Sequence, residues 1–120
     1  MADITITELA NEALESSDVA TAADASGDEI INSPDSFLAF RNDEASPKEV
    51  TIAKQQDSVR VEGMGDIAIS DIVLTIPAST ELYLYNCPTR GYNQTNGKLD
   101  VTYDGVTDFF VGSFRFARLG

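Results

Sequence analysis

Few residues of this chain belong to types that do chemistry, and their spacing limits what each could do. Asp24-Ala25-Ser26-Gly27-Asp28-Glu29 gathers three carboxylates in six residues, the hard oxygen donors that calcium takes. The stretch lacks the full calcium-loop spacing and a closing bidentate glutamate, so an acidic turn is the plainer reading. Cys87 is the one thiol. No histidine or basic cluster adjoins it to lower its pKa, which points to a packed thiol. Asn93-Gln94-Thr95 fits the glycosylation sequon, but without a secretory signal it reads as a polar hairpin loop. Tyr83, Tyr85 and Tyr92 lie near the Cys87-Pro88 turn. They could form an aromatic contact patch, with ordinary strand packing as the simpler alternative.

What is missing narrows the chemistry further. The chain has no histidine, which removes the commonest general base, the Ser-His-Asp and Cys-His arrangements and the usual zinc ligand. Gly63-Met64-Gly65 lacks the third glycine and the strand-then-helix setting of a phosphate loop. Two-carboxylate glycosidase chemistry stays open in so acidic a chain. The absence of tryptophan to stack a sugar weighs against it. The expectation is a protein that is not an enzyme and carries no cofactor or metal.

Charge bears on partners. Twenty acidic residues face eight basic ones, for a net charge of −12. That argues against direct nucleic-acid binding, which needs lysine and arginine on phosphates, and against an anionic membrane surface. It favours solubility. Residues 1–35 hold nine of the acids and no base. The chain therefore divides by expectation into an N-terminal strand and acidic arm over 1–27 and a near-neutral body over 28–120. The length suits a single domain with a real core. A lone cysteine, no basic-then-apolar leader and no long apolar run predict a soluble product of a reducing cytoplasm.

The elements that must position these residues announce themselves by period two. Val50 and Ile52, Val59 and Val61, Ile72, Leu74 and Ile76, Leu82 and Leu84, and Leu99, Val101 and Tyr103 each alternate with other residues. This is the pattern of half-buried strands. Asn96-Gly97 and Asp104-Gly105 suit turns that need positive φ. The spacing predicts strands over 3–8, 28–32, 36–42, 48–54, 58–62, 66–76 (with a break near Ser70), 79–86, 97–103 and 108–118. Many short strands with turns about every ten residues predict an all-β, single-domain sandwich or barrel. The Glu8–Glu15 stretch has good helix formers, so the arm is read as extended or partly helical. The last strand is apolar on both faces, with Phe110, Phe114 and Phe116 on one and Phe109, Val111 and Arg115 on the other. Such a strand is either central in the sandwich or covered by another subunit.

The order of segments resembles the small decoration, or cement, proteins of tailed-bacteriophage capsids. The likeness rests on Asp3-Ile4-Thr5-Ile6-Thr7-Glu8-Leu9, the connector Ala20-Thr21-Ala22-Ala23-Asp24, Gly27-Asp28-Glu29-Ile30-Ile31-Asn32 and Phe37-Leu38-Ala39-Phe40-Arg41-Asn42. It continues through Glu49-Val50-Thr51-Ile52, Leu74-Thr75-Ile76-Pro77-Ala78 before Leu82-Tyr83-Leu84, and Gly97-Lys98-Leu99-Asp100-Val101-Thr102-Tyr103 before the aromatic last strand. The resemblance implies a virion protein with a β-sandwich or jelly-roll-like body, sitting on the outer capsid surface and made in the host bacterial cytoplasm. It would bridge major capsid proteins, commonly as a trimer. Residues 1–9 could then add a strand to a neighbour's sheet. The expected contact residues are Ile4, Thr5, Ile6, Thr7 and Leu9 on that arm, with Phe109, Val111 and Arg115 on the last strand. A head–tail joining or tail protein and, further off, a carbohydrate-binding module are the alternatives.

Overall fold

The computed structural model describes residues 2–9 and 18–116. It is an all-β sandwich. One sheet orders its strands β1 (Ala2–Ile4), β4 (Asp28–Ile31), β11 (Lys98–Tyr103), β6 (Lys48–Ile52) and β9 (Ile72–Ile76). The other orders β10 (Thr80–Tyr85), β5 (Phe37–Asn42), β12 (Phe109–Phe116) and β2 (Ile6–Leu9). A two-residue strand, β3 (Thr21–Ala22), also pairs with β12. The strands β7 (Ser58–Val61) and β8 (Gly65–Ala68) form a separate two-stranded ribbon between β6 and β9. Apart from that excursion, every step from β3 onward changes sheet, so the two layers are laced together along the chain.

The core follows from alternation. Val50 and Ile52, Leu74 and Ile76, and Leu99 and Val101 point inward from the first sheet. Leu38, Phe40, Phe109 and Val111 meet them from the second. Phe40 and Phe109 stack with centroids 6.0 Å apart, and Tyr103 meets Phe109 edge-on at 5.6 Å. In β10 the inward set is Tyr83 and Tyr85, which pack against this core, while Leu84 points to solvent. Buried polar groups tie the ends together. Asn42 Nδ2 donates to the carbonyls of Ser46 (2.9 Å) and Pro77 (3.1 Å). Ser113 Oγ donates across the sandwich to the Ile31 carbonyl at 3.1 Å.

Several boundaries differ from expectation for physical reasons. The 3–8 strand breaks at Thr5, where the chain passes from one sheet to the other. The 66–76 stretch breaks at Ile69–Asp71, where the ribbon returns to the sheet. Gly97 takes the expected positive φ (79°), but Gly105 does not, and the left-handed residue before β12 is Asp108 (50°). β3 went unforeseen because two residues carry no period. The 8–15 stretch, read as extended or partly helical, lies outside the described residues, except that Glu8 and Leu9 belong to β2.

Candidate interaction surface

Each chemistry-bearing residue has a structural task. Asp24 Oδ1 accepts from the Ser26 amide (2.9 Å) and hydroxyl (2.8 Å), and these bonds hold its carboxyl below the ordinary value. Asp28 turns inward and accepts from the Tyr103 hydroxyl at 2.6 Å. Burial first, and that bond second, push the Tyr103 phenol well above its usual range. Among the described residues no group of three His, Cys, Asp or Glu side chains is placed to hold a metal. Cys87 is buried, and burial pushes its thiol up to about 12. Asn93 exchanges hydrogen bonds with Asn32. Its Nδ2 donates to the Asn32 carbonyl and its Oδ1 accepts from Asn32 Nδ2, both at 2.9 Å. The sequon asparagine thus fastens the 87–97 loop to the end of β4. Tyr92 donates its hydroxyl to the Ser70 carbonyl at 2.9 Å.

The two segments expected to meet a partner meet each other. β1 pairs parallel with β4, and β2 pairs parallel with β12, setting Ser113 beside Ile6 and Arg115 beside Glu8. Arg115 Nη2 donates to Glu8 Oε1 at 2.7 Å. Ile4, Leu9, Phe109 and Val111 are buried in the chain's own core, and Ile6 is half-buried. Thr5 and Thr7 remain exposed and Arg115 half-exposed. The two threonines border a groove of about 180 Å³ that Asp3, Asp18, Thr21 and Phe114 also line. Residues 2–9 add a strand to each of the chain's own sheets, where a strand added to a neighbour's sheet was expected.

The second face of β12 is covered from within the chain too. Leu9 and Val19 pack on Ala39 and Phe114, with Phe37, Leu82 and Phe110 at the margin. Gly112 makes this possible. A Cβ there would stand 2.7 Å from the Phe114 ring, so only glycine lets that ring lie flat over the strand. Arg41 caps the patch, its guanidinium 4.1 Å from the Phe110 centroid.

Exposed apolar side chains sit elsewhere. They are Met64 and Ile67 on the ribbon, Val73 on β9 and Leu84 on β10. β9 and β10 are the outer strands of their sheets on one side of the sandwich, joined through Pro77 and Ala78. Beside the ribbon, Arg60 and Arg90 border an open concavity of about 420 Å³. Sequence reasoning placed strands over 58–62 and 66–76 but missed that the first of them and the start of the second leave the sheet as a ribbon of their own, and it missed this side as a surface. The signal was present in the charge-free run Ile72–Ile76, which was read only for its inward face.

The fold defines a two-sheet β-sandwich whose large exposed apolar side chains, among the described residues, lie on two outer strands and the ribbon. No protein-family model matches the chain, and neither a curated protein nor a solved structure matches it.

Proposed function

We propose that this protein is a virion structural protein that decorates a bacteriophage capsid. On this reading it lies on the outer surface and stabilises the shell by bridging neighbouring major capsid proteins. The observation that carries the reading is the placement of apolar surface. Met64, Val73 and Leu84, 71%, 54% and 53% exposed, are spread over the ribbon and two outer strands of a plate 43 × 41 × 22 Å and do not converge on one cavity. A plate with sticky edges suits spanning between subunits, where many weak contacts on a symmetric surface add by multivalency. The segment order that resembles cement proteins supports the same reading, as does a fold held by tightly tied loops. Its negative charge suits a protein that must stay dispersed until a shell is available. The reading involves no catalysis and no contact with nucleic acid or membrane, and the resemblance adds a trimer as the expected assembly.

Heating shells with and without the protein tests it. Decorated shells should rupture and release DNA at a higher temperature than bare ones. Equal rupture temperatures at saturating protein would contradict the reading. Six- or twelvefold rings in electron micrographs would favour head–tail joining instead.

A further inference from the structure

We infer that the free edge of β9 is a self-pairing site, through which two copies of this chain join antiparallel about a two-fold axis. The inference goes beyond the capsid reading and does not rest on it, and it sets a two-fold pair in solution against the trimer that the resemblance implies.

An outer strand presents unpaired backbone groups to any chain that can align with it, and proteins usually blunt such edges with charge, bulges or very short strands. The other outer strands of this fold are blunted among the described residues. β1 has three residues, with Asp3 ion-paired to Lys98. β2 carries the Glu8–Arg115 pair. β10 carries Glu81 and an irregular register between Thr80 and Tyr83. The ribbon strands carry Arg60 and Asp66. β9 has none of these devices. Ile72-Val73-Leu74-Thr75-Ile76 is five residues without a charge or a proline, in unbroken register with β6. Beyond that ladder, the bond on its backbone among the described residues is Asn42 Nδ2 to the Ile76 carbonyl at 3.4 Å. Val73 points to solvent.

The occupant is argued from the strand's own sequence. A two-fold contact needs a self-complementary patch. Read backwards, Ile-Val-Leu-Thr-Ile becomes Ile-Thr-Leu-Val-Ile, which keeps every position in size and β-branching. Antiparallel pairing centred on Leu74 sets Ile72 against Ile76, Leu74 against Leu74, and Val73 against the near-isosteric Thr75. Charge placement agrees. In this register Asp71 falls opposite Pro77, so the two Asp71 carboxylates stand at opposite ends of the paired strands. The two five-stranded sheets would run on as one. Because each copy carries −12, long-range repulsion opposes the contact, and salt should strengthen it.

Sedimentation equilibrium of the full chain, across concentration and at low and moderate salt, tests this. The expected result is a concentration-dependent shift from 12.9 kDa to twice that mass, with the larger species gaining as salt rises. V73K/T75K sets lysine against lysine in both outer-face pairs and should return the chain to monomer. It also lowers the net negative charge, so loss of the dimer would not come from added long-range repulsion. L84K, on the neighbouring β10, should leave the dimer intact. Should V73K/T75K lose its fold by circular dichroism, amide exchange on the unaltered chain decides. The β9 amides should become more protected as concentration rises, and the β10 amides should not. A monomer at every concentration and salt, or an oligomer that survives V73K/T75K in folded form, would overturn the inference. So would β9 protection that appears only when another protein is added.

Discussion

Asp28 lies wholly out of solvent, with the Tyr103 hydroxyl as its close partner at 2.6 Å and no partner for Oδ1 among the described residues. A buried acceptor stripped of its donor keeps its full desolvation cost. Tyr103→Phe should therefore lower stability by about 1–3 kcal/mol in a denaturant titration, although the ring's packing on Phe109 is retained. The same phenol and the Cys87 thiol also set the alkaline limit. Both hold folded pKa values above their unfolded ones, and Cys87 goes from 9.0 to about 12. The folded state thus keeps protons that the unfolded chain releases. The stability contributed by Cys87 is whole below pH 9 and falls as pH rises toward about 12, by up to about 1.4 kcal/mol per pH unit. Melting temperatures measured over pH 8–11 should decline, and Cys87→Ala should flatten that decline. The thiol should resist alkylation at neutral pH until the chain unfolds.

At the scale of elements, the N-terminal strand pair decides how the chain is held. β1 and β2 cover one edge of each sheet, and Ile4 and Leu9 fill the two hydrophobic clusters. Removing residues 1–9 should cost several kcal/mol, since truncating even one buried aliphatic side chain costs about 2–5. Amide exchange at Ser113–Phe116 should rise with it. A truncated chain with unchanged melting and exchange would show that the segment is a free arm. Much of this architecture was legible from residues. The inward faces of β6, β9 and β11 follow directly from Val50/Ile52, Leu74/Ile76 and Leu99/Val101. The two-sided last strand was foreseen as central or covered by another subunit; it is central, flanked by β5 and β2, and its second face is overlaid by the chain's own Val19. The partners of the strands were not legible. Nothing local in Ile4-Thr5-Ile6 says that the chain changes sheet at Thr5, because pairing is decided by distant residues, Ile30 for Ile4 and Ser113 for Ile6. The facing of β10 differs from its Leu82/Leu84 alternation for a related reason: Tyr83 and Tyr85 pack on the core and Leu84 is exposed. Leucine and tyrosine are both fit for a core, and only the neighbouring loop with Cys87 and Tyr92 settles which points in.

For the whole molecule, the account is of a thin acidic plate that acts through its rim. Its two sheets are locked by buried amides and by crossings at nearly every connection, so the body should keep its shape on binding, as pre-organised partners usually do. With a charge of −12, its approach to any surface should depend on salt, and the sign of that dependence reports the charge of the partner. Co-sedimentation of the purified chain with undecorated phage shells tests the central claim most directly. The account predicts saturable pelleting at modest salt, in fixed proportion to the major capsid protein, and none with isolated capsid subunits. A chain that stays in the supernatant over assembled shells would contradict it.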